Sequence, residues 1–337
     1  MRKQTCYGIL VTTLTVISGC ASSSLEPSSQ LPLSSVDSSQ VTSTTMSSSL
    51  ISSSSEVTIS SSSSSETIVS SSSFNDYNYT FPTEPYTGYY EPISIDSVGN
   101  ALRLELYNLM QATQHTNVSY DSHRYHYQVT DRDPDIPGNI ILFYTGTSRP
   151  FNGTFGSTVG TTNREHVWPQ SKFNYVTSGP YSDLHHVRPC DVSLNSTRQN
   201  MDFGTLTSGT IPNEGVPGGT RVPTDALYAG GKFYPGPLFR GPAARIIFYV
   251  AMRYGPESAF NLSLLDAASP NPGTKFAFIA DMLAWNLVYP VNDYESLRNE
   301  ETATIQGNRN PFIDHPDLAC RLWGDYSEKT IDLCGLL

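Results

Sequence analysis

Apolar residues are spread very unevenly along this chain. Tyr7 to Ile17 form one apolar run, and from Ala21 to about Thr87 apolar positions are scarce among Ser and Thr. Helical and strand-like patterns begin beyond residue 88. In NALRLELYNLMQAT, residues 100–113, Leu102, Leu106, Leu109 and Met110 stand at helical spacing and predict an amphipathic helix with a core-facing stripe. NIILFY, residues 139–144, is a short apolar run between Pro137-Gly138 and Thr145-Gly146, and predicts a buried strand. Two more helices are predicted, over 242–254 (PAARIIFYVAMRY, with Pro242 at its start) and over 275–288 (KFAFIADMLAWNLV). No strand-helix alternation develops. The pattern therefore favours an α+β fold, mainly helical with a small sheet, over a doubly wound one.

Composition divides the 337 residues into three parts. Residues 1–20 carry Arg2 and Lys3, then the apolar run, then Ser18-Gly19, which is the order of a secretion signal; the run is too short to span a bilayer. Its ending, ISGC, resembles the lipobox of bacterial lipoproteins and makes Cys20 the candidate for lipidation, hence for a membrane anchor; an ordinary cleaved signal is the alternative. Residues 21–87 offer too little apolar surface to offset the entropy of ordering, and are expected to be a disordered Ser/Thr-rich linker. Residues 88–337 hold all seven His and all three Trp and form the expected folded domain. Some 250 residues suffice for one large domain. Residues 1–80 contain two basic and five acidic residues, so the remainder carries a net charge of about −8. A polyanion must then be bound through a local basic patch and a cation, since the global field repels it.

The segments richest in chemistry are NREHVWPQS, residues 163–171, and SDLHHVRPCDVSLNSTRQNMDFG, residues 182–204. In the second, Asp183 to Val187 can form a short strand ended by Pro189. Asp191 or Ser193 can cap a helix running from Leu194 to Met201, which sets Asn195 and Arg198 on one face. The order of a strand bearing His166, a second strand and a helix bearing Asn195 matches a ββα metal finger. Phosphodiester hydrolysis needs a base near neutral pH, which imidazole supplies, and a hard cation with oxygen ligands, which Glu165 and Asn195 can offer. Glu165 raises a geometric difficulty, because neighbours on a regular strand face opposite ways. Either the strand breaks there, or Glu165 pairs with Arg164 instead.

REHVWPQS, DLHHVRP, NSTRQNMDFG and IQGNRNPFIDHPDL (305–318), in that order, resemble the endonuclease I family of secreted bacterial nucleases, within the His-Me finger superfamily. The resemblance runs from about residue 93 to about residue 324. It implies an extracellular endonuclease without sequence specificity, acting on DNA, RNA or both and leaving 5′-phosphates. It further implies His166 as general base, with Glu165 and Asn195 holding Mg²⁺, or Ca²⁺ or Mn²⁺. His186 stands where many members carry Asn, and Cys190 where a Ser or Ala is expected. Of the arginines, Arg198 is the first candidate for a catalytic phosphate contact, and Arg164 and Arg188 can each bind a phosphate or serve as a salt-bridge partner. A phosphoesterase on smaller substrates and a non-enzymatic surface lipoprotein are the competing readings, and a monomer is the default.

His123, His126, His185 and His186 invite a zinc reading but lack flanking ligands at organised spacing, so structural or substrate roles are expected. Arg309 and Asp314 are expected to form an internal ion pair. Cys320 and Cys334 can close a disulfide in an oxidising exterior or remain buried thiols.

Overall fold

The computed structural model describes residues 81–212, 224–266 and 273–336. The signal segment, Cys20 and the linker up to residue 80 lie outside the described residues. Residues 81–87, expected to close the linker, belong instead to the folded part. Tyr86 is buried, donates its hydroxyl to Asp317 at 3.0 Å and accepts from Arg321 at 2.7 Å.

The chain begins with helices α1 (Gly99–Thr113) and α2 (His123–Thr130), then strands β1 (Asn139–Ile141), β2 (Ser148–Pro150), β3 (Thr162–His166) and β4 (Val187–Asp191). Helix α3 (Val192–Arg198) follows, then β5 (Asp202–Phe203), β6 (Leu227–Ala229), β7 (Lys232–Tyr234) and helix α4 (Arg240–Arg253). Strands β8 (Ser263–Leu265) and β9 (Lys275–Phe278) precede the helices α5 (Ile279–Val288), α6 (Asp293–Gln306), α7 (Pro311–Asp314), α8 (Leu318–Trp323) and α9 (Glu328–Cys334). The strands make small separate sheets: antiparallel β1-β2 and β3-β4, the mixed β5-β7-β6, and parallel β8-β9. The fold is thus α+β, as the apolar pattern predicts.

Helix α4 is the centre of the core, buried from Gly241 to Arg253. Deep within it, Arg245 is matched by Glu295 through two hydrogen bonds of 2.8 and 2.6 Å. Its start packs tightly on the end of α5, where a Cβ on Gly241 would meet the Tyr289 carbonyl oxygen at 2.7 Å. Phe248 stacks on Trp323 of α8 with ring centres 4.9 Å apart. On α1 the four residues of the predicted stripe are the buried ones.

Three local expectations change. Residues 275–288 divide into β9 and α5, because Lys275 to Phe278 pair with β8 and helical hydrogen bonding begins only at Ile279. The second finger strand lies at Val187–Asp191, not 183–187. Asp183 instead begins a turn, its carbonyl accepting from the His186 and Val187 amides. Pro189 sits inside that strand at no cost, since what it contributes is its carbonyl, which accepts from the Phe143 amide at 2.8 Å. Helix α3 stops at Arg198, ahead of Met201, because Gln199 turns to φ +52°.

Candidate active site

Strands β3 and β4 pair from Thr162↔Asp191 to His166↔Val187, and β4 runs straight into α3. Asp191 makes that junction: its Oδ1 accepts from the Ser193 and Leu194 amides as the N-cap, while Oδ2 binds Arg149 at 2.7 Å. The hairpin and helix enclose a cleft of about 450 Å³ lined by Arg164, Glu165, His166, Asn195 and Arg198 together with Tyr175. Glu165 and His166 both line it although both are paired within β3, His166 being the strand's last residue.

His166 is held in one tautomer. Its Nε2 lies 2.9 Å from the Tyr181 carbonyl oxygen, which can only accept, so Nε2 carries the proton. Nδ1 keeps the lone pair, and the Gln170 amide donates to it at 3.0 Å. Burial, with His186 nearby, holds the imidazole well below the usual histidine range, so the ring is neutral at pH 7. A neutral ring with Nδ1 turned to a polar donor is equipped to accept a proton there.

His186 does different work. Its Nδ1 donates to the Pro180 carbonyl oxygen at 2.6 Å, and its Nε2 accepts from the Trp168 amide at 2.8 Å. Burial pushes its pKa down to about 4. The ring is a neutral pin joining the turn before β4 to the end of β3. Trp168, fully buried against Phe276, completes that anchor.

Glu165 is buried, and burial raises its carboxyl above the usual range against the pull of Arg198 and Tyr144. Its Oε1 accepts from the Tyr144 hydroxyl at 2.7 Å and lies 3.4 Å from Arg198 Nε. Arg198, not Arg164, is therefore its counter-ion. Arg198 also donates to the carbonyls of Gln199 and Val167, so all three of its nitrogens face protein oxygens and it is an organiser of the cleft wall. Arg164 has no ion pair among the described residues and lies 4.0 Å over the Tyr120 ring and 3.9 Å over that of Phe155. It is the cleft arginine whose charge is available to a phosphate.

Arg188 is absent from the cleft. It is buried beside Asp131, Nε to Oδ1 2.9 Å, and Arg298 reaches the same oxygen at the same distance. A guanidinium committed there does not meet a substrate, which corrects the phosphate reading of Arg188. His123, buried with Nε2 2.9 Å from the Ser182 carbonyl oxygen, and His185, buried with Nε2 2.9 Å from that of Asn308, hold backbone rather than metal. His126 lies on α2, whose His123 end meets the loop beside the cleft. Arg309 grips Asp314 through two bonds of 2.7 and 2.9 Å. Cys320 and Cys334 are disulfide-bonded, and Cys190 is a buried free thiol.

The cleft suits a hard cation. The Nδ2 of Asn195 donates to Asn163 Oδ1 at 2.6 Å and to the Arg164 carbonyl at 3.1 Å, which fixes the amide and leaves Oδ1 as its open acceptor. The protein contacts of Glu165 fall on Oε1, leaving Oε2. Among the described residues no cluster of three or more His, Cys, Asp or Glu converges. One carboxylate and one carboxamide oxygen are donors that can serve a hard ion keeping most of its water.

The endonuclease I family profile matches residues 98–317, within the stretch from about residue 93 to about residue 324 over which the resemblance runs. The chain is 38% identical over 247 residues to an extracellular ribonuclease of Bacillus amyloliquefaciens, covering 72% of this chain and 80% of that one. It is 38% identical over 248 residues to the extracellular ribonuclease of Bacillus subtilis (strain 168), covering 72% and 81%. A shorter match, 32% over 80 residues, joins it to an extracellular deoxyribonuclease of Aeromonas hydrophila, covering 24% and 28%. The chain belongs to the endonuclease I family, a family of nucleases.

Tyr144, Gln170 and Tyr181 were not anticipated as parts of the site. Gln170 lies within the NREHVWPQS stretch, four residues past His166, and was open to reading as its partner. Tyr144 and the Tyr181 carbonyl come from elsewhere in the chain and leave no local mark.

Proposed function

We propose that the protein is an extracellular, metal-dependent endonuclease that cleaves nucleic acid to 5′-phosphate and 3′-hydroxyl ends. The observation that carries this reading is the neutral His166, its Nδ1 lone pair placed in the same cleft as the oxygens of Glu165 and Asn195. A water taking the place of the Gln170 amide gives its proton to Nδ1 as its oxygen bonds to phosphorus; the bond from phosphorus to the 3′-oxygen breaks, and that oxygen takes a proton from solvent to leave as the 3′-hydroxyl. Arg164 pairs with the phosphate. Glu165 and Asn195 would hold Mg²⁺, with Ca²⁺ or Mn²⁺ as substitutes, whose charge offsets that growing on the phosphoryl and leaving oxygens. RNA is the first substrate to test, because the two relatives matched over 72% of the chain are named ribonucleases.

The signal-like residues 1–20 and the relatives' extracellular naming support export, with Cys20 as lipid anchor and residues 21–87 as tether. Cys20→Ser is then expected to move the protein from the membrane fraction to the medium.

Residues 81–337 are to be incubated with RNA, single-stranded DNA and double-stranded DNA, with Mg²⁺ or with chelator, beside His166→Ala. Cleavage with Mg²⁺ that is lost in the variant, by at least about a hundredfold, is expected. Full activity of a folded His166→Ala protein, or RNA ends carrying 2′,3′-cyclic phosphate, would refute the water-activating role.

A further inference from the structure

Beside the catalytic cleft lies a second pocket of about 470 Å³, bounded by the end of α1, the loop 177–182 and the end of α4. Tyr120 lines both, so the two are neighbours separated by one ring. That ring is held firmly, stacked on Tyr181 at 4.3 Å with Arg164 over it at 4.0 Å.

The pocket contains one cation, Arg253, which is only 9% exposed. Among the described residues it has no acidic partner: its Nε and Nη2 donate to the neutral Gln114 Oε1 at 3.2 and 2.6 Å. A buried, unpaired guanidinium is costly, and its place at the C-terminus of α4 offsets only part of that cost through the helix dipole. Asp183 lines the same pocket but is fully engaged. It accepts from Tyr249 and Tyr254 at 2.7 Å each and from Gln306 and the His185 amide at 2.9 Å each, leaving little capacity for Arg253. The rim carries exposed Asn117, Ser119 and Ser178, groups that hydrogen-bond sugar and base edges without charge.

We propose that this pocket is a second phosphate subsite, in which Arg253 binds the backbone of the same nucleic-acid strand one or more nucleotides from the scissile bond. The inference rests on the nuclease reading above. It gives an acidic protein a local means of holding a polyanion, with Arg164 and Arg253 on the two sides of Tyr120 as successive phosphate contacts.

The test compares a decanucleotide RNA with a dinucleotide too short to reach past Tyr120. In Arg253→Met, KM for the decanucleotide should rise on the order of tenfold, the scale of one charge-assisted contact. The preference for the longer substrate should fall by the same factor, and the salt dependence should become shallower by roughly 0.7 in log–log slope. Arg253→Lys should recover part of the loss, and Asn117→Glu at the exposed rim should weaken decanucleotide binding without touching the core. An unchanged length preference in Arg253→Met, or an equal loss on both substrates, would overturn the subsite. Should Arg253→Met fail to fold by thermal melt, an unaltered decanucleotide KM in Asn117→Glu overturns it. Anisotropy of a labelled decanucleotide in chelator reads the subsite without turnover. A wild-type protein that binds the strand through Arg253 yet cleaves neither length would defeat the catalytic reading alone.

Discussion

Replacing Asp131 by Asn tests how the finger is held to the helices behind it. The Asp131 carboxylate is fully buried. Its Oδ1 accepts from Arg188 Nε on β4 and Arg298 Nε on α6, both at 2.9 Å, and its Oδ2 from Thr130 Oγ1 at 2.7 Å. Arg298 also donates to the Leu184 carbonyl at 2.6 Å. One carboxylate thus ties the end of α2, the start of β4 and α6 together. Asn keeps the volume and one acceptor but removes the charge, leaving two buried guanidiniums with nothing to neutralise them. Removing one partner of a buried ion pair costs about 3–5 kcal/mol. At about 2–4 °C per kcal/mol for a domain of this size, the melting temperature should fall by roughly 6–20 °C. Circular dichroism melts and urea titrations on residues 81–337 measure it, with the midpoint moving at constant m. Adding Arg188→Met to Asp131→Asn removes one surplus charge and should restore part of the loss. A shift below about 2 °C for Asp131→Asn would refute the reasoning, since it would mean water or relaxation neutralises this site.

Acid should destabilise the protein well above the carboxylate range. His123, His185 and His186 are buried, and burial lowers each to about 4, whereas in the unfolded chain they titrate near 6.5. The unfolded state therefore binds more protons between those values, and stability present above pH 6.5 is lost as pH falls, by about 2 kcal/mol per histidine at pH 5. A urea midpoint at pH 5 equal to that at pH 7 would contradict this. Tyr144→Phe removes the hydroxyl that holds Glu165 and should raise the half-saturating Mn²⁺ for activity about 10–100-fold; an unchanged titration would remove Glu165 from the metal reading. Reducing the Cys320 to Cys334 bond, which joins residues 14 positions apart in sequence, should cost about 3 kcal/mol, seen as a lower melting temperature with reductant and no change in a Cys320→Ser, Cys334→Ser protein.

Much of the candidate site is legible in one dimension. Glu165, His166 and Asn195 come from motif segments that are themselves local pieces of structure, and the N-cap at Asp191 is written in the sequence just before α3. The α1 stripe and the central α4 were legible for the same reason, because 3.6-residue spacing marks a buried face wherever it lies. Where β9 gives way to α5 was not legible. Both are apolar, and the division depends on pairing with β8, which comes from another part of the chain.

The partners of the arginines are visible only in three dimensions. Arg164, Arg188 and Arg198 are alike as residues, and sequence spacing allowed each to face a phosphate. Their partners lie far along the chain: Asp131 claims Arg188, Glu165 and the Val167 carbonyl claim Arg198, and the rings of Tyr120 and Phe155 leave Arg164 its charge. The tautomer of His166 depends likewise on one carbonyl brought back by the loop before β4. The sequence by itself determined which side chains could do the chemistry, through local spacing and residue type. The tertiary structure decided which of them are free to do it, because a charge or a lone pair is available only after its long-range partners have been counted.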